Sequence, residues 1–459
     1  MERETYNAPY VWAIATAGAL GGLLFGYDWV VIGGAKPFFE KYFELNSGAA
    51  SGWANSCALI GCLVGSIVSG GLSEGIGRKK LLIVSAALFA ASSILTGAAE
   101  TFDWFIAWRI TGGVAIGMAS NVSPMYIAEI SPAAWRGRLV SLNQLTIVIG
   151  ILAAQIVNLL IAQKVPDGAT AEFIRQSWNG QHGWRWMFYA VAIPSMIFFL
   201  ASMLVPESPR WLVKRGRDEM AAKTLARIGG DEYSRLTLAD IQRTFTSTSA
   251  IATGPGPASA SKIITIGVLL AILQQWCGIN VIFNYAEDIY RDAGYGVSDI
   301  LFNIVITGAI NMMFTFVALG TVDRFGRRAL MLIGCTGVGL SHLLIGSAYF
   351  FGLKGLPVVI LTLCAIGCYA MSLAPVTWVL ISEIFPNRIR GAAVSISVSA
   401  LWIACFVLTF TFPVLNTNLG PAKTFWLYAA VCLAGLLFIL VAVPETKGKT
   451  LEQIELEIG

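Results

Sequence analysis

Charge is what this chain has least of. Asp, Glu, Lys and Arg make up only 13% of its 459 residues, about half the share of a soluble domain. Neither a hydrated globular surface nor a basic nucleic-acid face can be built from so few charges, and the net charge of +4 does not change that. Histidine is nearly absent: of the 2 present, His182 falls in a loop and His342 in an apolar stretch, and neither has an acid or a second ligand close in sequence. The eight cysteines, at 57, 62, 277, 335, 364, 368, 405 and 432, show no metal-ligand spacing and no loop pair suited to a disulfide, so they read as packing residues. The start, Met1-Glu-Arg-Glu4, lacks the basic region of a cleaved signal peptide, and none is expected. A catalyst would need a nucleophile, a metal set or an acid–base pair beside a cavity. Apart from Asp28 no such group presents itself, so the chain is expected not to be an enzyme and to hold no metal or organic cofactor.

What is abundant is apolar surface. Hydrophobic residues reach 56% and mean hydropathy is +0.70, which points to a polytopic membrane protein. A helix crossing a bilayer needs about 20 largely apolar residues, and twelve such stretches are present, at 9–34, 49–73, 81–99, 104–126, 138–162, 184–205, 263–289, 298–321, 329–350, 356–384, 392–415 and 423–443. The expected class is therefore an all-α membrane protein. With the first residues cytoplasmic, 22 of the 31 Lys and Arg residues fall on the cytoplasmic side, 8 on the opposite side, and Arg109 inside a span. That asymmetry follows the positive-inside rule and puts both termini in the cytoplasm.

The stretches fall into two sets of six, residues 1–205 and 263–443, separated by a connector at 206–262 and followed by a short tail, 444–459. The connector has helical apolar spacing at Met220, Leu225 and Ile228 and ends in a Gly/Pro/Ser/Ala tract, which predicts an amphipathic helical segment and then a flexible linker. The two sets repeat each other. Gly77-Arg78-Lys79 follows the second stretch and Gly326-Arg327-Arg328 the eighth, while Glu129 precedes Arg136 by the same seven residues that separate Glu383 from Arg390.

These residues resemble the sugar porters of the major facilitator superfamily. The resemblance rests on Pro206-Glu-Ser-Pro-Arg-Trp-Leu212, Gln274-Gln-Trp-Cys-Gly-Ile-Asn280, Val322-Asp-Arg-Phe-Gly-Arg-Arg328, Glu383-Ile-Phe-Pro-Asn-Arg-Ile-Arg390-Gly391 and Pro444-Glu-Thr-Lys-Gly448. It runs from Gly26-Tyr27-Asp28 nearly to the end of the chain. It implies twelve transmembrane helices in two pseudo-symmetric six-helix bundles, alternating access, and a neutral monosaccharide as substrate. It further implies residence in the cell (inner) membrane and function as a monomer in the lipid bilayer, with no nucleic-acid partner.

Ionisable residues inside a bilayer cost roughly 2.5–3.5 kcal/mol each on insertion scales and call for a partner. Asp28 in the first span and Arg109 in the fourth stand out. A permanently charged guanidinium facing a titratable carboxylate makes a proton-sensitive latch, because protonation removes the attraction while Arg109 keeps its charge. A related proton symporter of the family matches at both positions, and the family's glucose facilitators carry a neutral residue where Asp28 sits. The resemblance thus implies the proton as coupling ion. A plain ion pair pinning two helices is the other reading.

Uncharged polar residues deep in other spans form a second set: Gln144, Gln274, Gln275, Asn280 and Asn311, with Trp378 and Trp402. Side-chain amides both donate and accept, as vicinal hydroxyls do, and an indole face suits the C–H face of a pyranose. At roughly 100° per residue Gln275 and Asn280 diverge by about 140° on an ideal helix, so they converge on one ligand only if the helix loosens near Gly278. The alternative is that such amides bind helix to helix.

By resemblance, Arg78, Glu129, Arg136, Glu207, Arg210, Arg327, Glu383, Arg390 and Glu445 form ion-pair networks between the halves that close the cytoplasmic side when the porter faces outward. Some positions depart from the family pattern. Gly75 stands where Arg is usual, Leu401 where a sugar-binding Gln can occur, Ile151 is apolar as in glucose facilitators, Phe283-Asn284-Tyr285 replaces a more aromatic pair near the outer gate, and bulky Trp29 follows Asp28. These leave the identity of the sugar open. A proton-independent facilitator or a non-transporting sensor is the alternative to symport, although a sensor typically carries a longer cytoplasmic tail.

Overall fold

The computed structural model describes residues 6–166, 168–247, 257–385 and 390–447; within these, the side chains of 244–247, 257–260, 319, 322, 323, 382, 390 and 391 are not described. All regular structure among the described residues is helical. The first half holds α1 (Ala8–Tyr42), α2 (Gly48–Ile76), α3 (Arg78–Ala98), α4 (Phe102–Ile130), α5 (Arg136–Ile161), the short α6 (Ala171–Gln176), and a sixth crossing made of α7 (Trp184–Ala190) and α8 (Ala192–Leu204). The connector supplies α9 (Pro209–Lys214) and α10 (Asp218–Ser247). The second half begins with a crossing in three pieces, α11 (Pro257–Trp276), α12 (Ile279–Asn284) and α13 (Ala286–Asp292). It continues with α14 (Val297–Phe325), α15 (Arg327–Phe350), the pair α16 (Leu356–Ala370) and α17 (Leu373–Glu383), α18 (Arg390–Leu419) and α19 (Pro421–Ala442).

Eleven described stretches are long and apolar enough to span a membrane. The 29-residue α4, which carries Asp103, Arg109 and Glu129, packs against α2 and α3 and completes the twelve. Many apolar side chains remain exposed, among them Ile193, Leu204 and Val441, as expected of helices whose outer faces meet lipid tails.

Two expectations of local structure change, and the loosening considered at Gly278 is found. The first span does not end at residue 34 but runs as helix to Tyr42, carrying Lys36 with it. The seventh breaks at Gly278 and again at Tyr285. Gly278 has φ 85°, a left-handed geometry that a Cβ would oppose. In the connector Leu225 and Ile228 are buried but Met220 is 52% exposed, and Ala221 packs in its place against Trp211 and Leu212. Ala221, Leu225 and Ile228 stand at i, i+4 and i+7 on one helical face, which leaves Met220 off it; the chain leaves helical geometry only beyond them, at Gly229 and Gly230. Part of the predicted linker, 248–256, lies outside the described residues, and α11 already begins at Pro257.

The two halves meet through their outer ends. A Cβ added at Gly52, near the start of α2, would sit 2.4 Å from the carbonyl oxygen of Phe410 in α18, so the helices touch backbone to backbone there. The N–H of Val165 donates to Ser298 Oγ at 3.1 Å, and α5 packs on α14 through Gln155 against Gly308. At the opposite end the N-terminus lies on the connector, the N–H of Asn7 donating to the Ile228 carbonyl at 2.8 Å.

Candidate transport site

Asp28 and Arg109 come together. Arg109 Nη1 lies 3.0 Å from Asp28 Oδ1 and 3.2 Å from Oδ2, and each residue is 3% exposed. The α1 and α4 backbones bring them face to face, and the guanidinium also sits 5.5 Å from the Phe188 ring. Beside the pair is a cavity of about 10 Å³ lined by Trp29, Asn55, Arg109 and Asn284 among others, roughly the room for one water molecule. Arg109 Nε and the Oδ1 atoms of Asn55 and Asn284 are buried without a hydrogen-bond partner. Asn284 belongs to the second half, so this polar pocket spans the interface.

The amides of the seventh crossing also converge. Because Gly278 breaks the helix, Asn280 Nδ2 reaches back to donate to Gln275 Oε1, and it lies 3.5 Å from Cys405 Sγ. Gln275 Nε2 donates to Gln274 Oε1 at 3.4 Å, and Gln274 Nε2 to the Ala374 carbonyl at 3.1 Å. The Ala374 carbonyl is on α17, just past the break in the tenth crossing. Asn311 is buried on α14, Gln144 half-buried on α5, and Trp378 38% exposed. Trp402 is 2% exposed with its Nε1 unpartnered.

Trp29 joins these two groups of residues. Its ring packs 5.9 Å from Trp402 and 5.9 Å from Phe25, and Phe25 lies 6.0 Å from Trp402. The residue that departs from the family pattern next to Asp28 thus forms an aromatic contact with the other half. His342 is buried, bonded through Nε2 to the Cys277 carbonyl at 2.8 Å and packed on Phe425 and Tyr428, all packing roles.

The duplicated charges build the same device twice. In the first half Arg78 binds Glu129 through Nη2–Oε1 and Nε–Oε2, both 3.0 Å, and Glu74 at 2.8 Å. Glu207 accepts the N–H groups of Arg78 and Lys79 at 3.0 and 3.1 Å, capping α3, while Ser208 Oγ donates to Glu129. In the second half Arg327 binds Glu383 at 3.1 Å, Glu445 accepts the N–H groups of Arg327 and Arg328 at 2.9 and 3.1 Å, and Thr446 Oγ1 donates to Glu383. Burial alone would raise the Glu445 carboxyl, but the N–H groups of Lys447, Arg327 and Arg328 outweigh it and hold the group below the usual carboxylate range. Pro206-Glu-Ser and Pro444-Glu-Thr are therefore equivalent caps.

The ion pairs Arg78–Glu129, Arg78–Glu74 and Arg327–Glu383 each stay within one half, and Lys214–Glu74 ties the connector to the first. Arg136 does not reach Glu129; it is exposed and donates to the Ala128 carbonyl at 3.1 Å, because Arg78 already holds that carboxylate. Arg210 is exposed, and the side chain of Arg390 lies outside the described residues. With contact at the outer ends and these charges kept within the halves, the arrangement is closed to the outside.

Sequence reading missed a cluster at that outer end, where Lys36, Glu40, Glu287, Asp288 and Arg291 gather. The signal was present: Glu287 and Asp288 lie within the predicted seventh span, and Lys36 sits two residues beyond the predicted end of the first. It also missed Gln155, 2% exposed with both amide atoms unpartnered, three turns along α5 from Gln144.

Two broken-helix bundles, a buried carboxylate–guanidinium pair and a shared polar centre define a secondary transporter of the major facilitator fold. The chain matches the family model for "Sugar (and other) transporter" over residues 14–457 and belongs to that family. It is 36% identical to the D-xylose-proton symporter of Escherichia coli (strain K12), over 98% of this chain and 96% of the relative. It is 38% identical to the glucose transport protein of Synechocystis sp. (strain ATCC 27184 / PCC 6803 / Kazusa), over 98% of each. An inward-open structure of the Escherichia coli xylose transporter superposes with a TM-score of 0.85 at 36% identity, covering 98% of this chain and all of that one, in agreement with the closed outer side.

Proposed function

We propose that this protein imports a neutral monosaccharide, a pentose or hexose, by proton symport through alternating access. It would act as a monomer in the cell membrane with both termini cytoplasmic, residues 1–205 and 263–443 rocking about the centre and 206–262 and 444–459 lying on the cytoplasmic side. The observation that carries this reading is the Asp28–Arg109 pair, fully buried and one residue away from the Trp29–Trp402 contact.

The amides of Gln274, Gln275 and Asn280 form a hydrogen-bonded chain that ends on the Ala374 carbonyl. Sugar hydroxyls would replace those bonds one for one, and Trp402 and Trp378 would take the apolar face. Protonation of Asp28 removes the charge that holds Arg109. The change reaches the sugar through Trp29, so proton and sugar are felt at one interface.

The test is proteoliposome uptake across a panel of aldoses with external pH recorded. Symport predicts external alkalinisation on adding the right sugar and uphill accumulation under an inward proton gradient. Uptake indifferent to the gradient, with no proton movement, would establish the facilitator alternative instead. The apolar Ile151 and Leu401 remove possible sugar hydrogen bonds and so bear on which aldose of the panel is taken.

A further inference from the structure

The outer contact between the halves contains charges that the transport site does not use. Lys36, on α1, is 1% exposed, yet it is a lysine in a helix of mean character otherwise apolar. Its Nζ lies 2.8 Å from Glu287 Oε2 and 2.8 Å from Asp288 Oδ2, both on α13 of the other half, and 3.4 Å from Glu40 on its own helix. Arg291 closes the far side, 2.6 Å from Glu287 Oε1 and 2.6 Å from Asp288 Oδ1. Ser51 Oγ donates to Glu40 at 2.5 Å, and the Tyr285 ring lies 5.8 Å from Nζ. Two cations thus face three carboxylates, with Lys36 and Glu287 out of water and Arg291 half exposed at the rim. Immediately outside is a vestibule of about 590 Å³ that these same residues help to line.

A charge removed from water is tolerated only where partners surround it, and removing one partner leaves the others buried and uncompensated. Here the partners come from different halves. Lys36 can be dry and paired only while α13 lies against α1. Once the outer ends separate, water from the vestibule hydrates Lys36 and Glu40 on one side and Glu287, Asp288 and Arg291 on the other. In the closed arrangement the buried charges of the two halves are therefore matched against each other, so removing one of them penalises closure and not opening. Arg78–Glu129 and Arg327–Glu383 cannot do this in the arrangement seen here, since each lies within a half.

We propose that Lys36 is the positioning residue of an outer ionic gate, holding α13 against α1 through Glu287 and Asp288 and so setting how often the transport site opens outward. The proposal depends on the reading above only in that the halves must separate. It needs neither sugar nor proton movement, and a direct distance measurement tests it apart from symport.

Spin labels at Asn46→Cys and Lys354→Cys, both exposed on the outer side of opposite halves, would be placed on the full chain in lipid nanodiscs with the exposed Cys364 changed to Ser. The parent protein should give a predominantly short distance. Lys36→Met, similar in length and uncharged, should shift the population to longer distances, and Lys36→Arg, larger but charged, should keep it short. Glu287→Gln provides a second route to the same opening if Lys36→Met does not fold. A residue needed only for packing predicts the reverse order, Met tolerated and Arg not. Short distances retained in both Lys36→Met and Glu287→Gln, with or without lowered thermal stability, would overturn the gate.

Discussion

Asp28 and Arg109 satisfy each other in the state closed to the outside, and that sets what their substitutions should do. Asp28→Asn keeps the size and one acceptor oxygen of the side chain and removes its titration. It should abolish uphill accumulation driven by a pH gradient while sugar exchange persists, since exchange needs no return of the empty carrier. Counterflow and proton-driven uptake on the same reconstituted sample separate the two; loss of both, or of neither, would count against the latch. The amides make a different case. Gln274, Gln275 and Asn280 form a chain of side-chain hydrogen bonds, so truncating any one to Ala leaves a neighbour without its sugar-replaceable partner. Weaker sugar binding by about 1–3 kcal/mol is expected for each, the cost of an unmatched buried polar group. Calorimetric titration reads this directly, and unchanged affinity in all three would move the site elsewhere.

Elements matter here mainly where they break. The seventh crossing is interrupted at Gly278 and Tyr285, and the tenth at Met371 and Ser372. Next to these breaks a side chain of one broken crossing reaches the backbone of the other, as Gln274 Nε2 does at the Ala374 carbonyl. The helix starts at Arg78 and Arg327 are the second recurring feature. Each follows a glycine with positive φ, Gly77 or Gly326, and each has its free N–H groups taken by a glutamate from the segment after the sixth or twelfth crossing. Since the Glu445 carboxyl is held low in the folded protein, its stabilising effect is present above the ordinary carboxylate range and fades as pH falls through its lowered value. Glu445→Gln should therefore melt at a lower temperature than the parent near neutrality, with the difference shrinking on acidification. A difference independent of pH would show that the cap acts by packing alone.

For the whole molecule, the question is how the two halves exchange contacts. Outer contacts made by α1, α2 and α5 with α12, α13, α14 and α18 hold the present arrangement. The cytoplasmic arginines would contribute in the opposite one, when Arg136 and Arg390 could find acidic partners across the interface. Neutralising both should leave this outer-closed state more populated, because each lost pair removes a fraction of the few kcal/mol that separate two conformers. Distances between spin labels on the cytoplasmic ends of α5 and α18 would lengthen on average. An unchanged distribution would assign these arginines to membrane topology only.

The sequence by itself determined the solvent and the architecture: scarce charge and twelve apolar runs demand a bilayer, and the Gly-Arg and Glu-to-Arg repeats demand two equivalent halves. It also pointed to the Asp28–Arg109 pair, since opposite charges deep in apolar spans call for each other, and to Gly278 as the place where the helix must loosen if Gln275 and Asn280 are to converge. Only the tertiary structure decided which charges actually meet. Arg78 rather than Arg136 holds Glu129, because side-chain reach depends on how α3 and α4 pack and not on spacing along one chain. Lys36 lay beyond the predicted first span because a lysine reads as hydrated, and only Glu287 and Asp288, some 250 positions away, make its burial tolerable. A buried charge carries no mark in local hydropathy of the partner that makes it tolerable, and that partner is known only once the halves have docked.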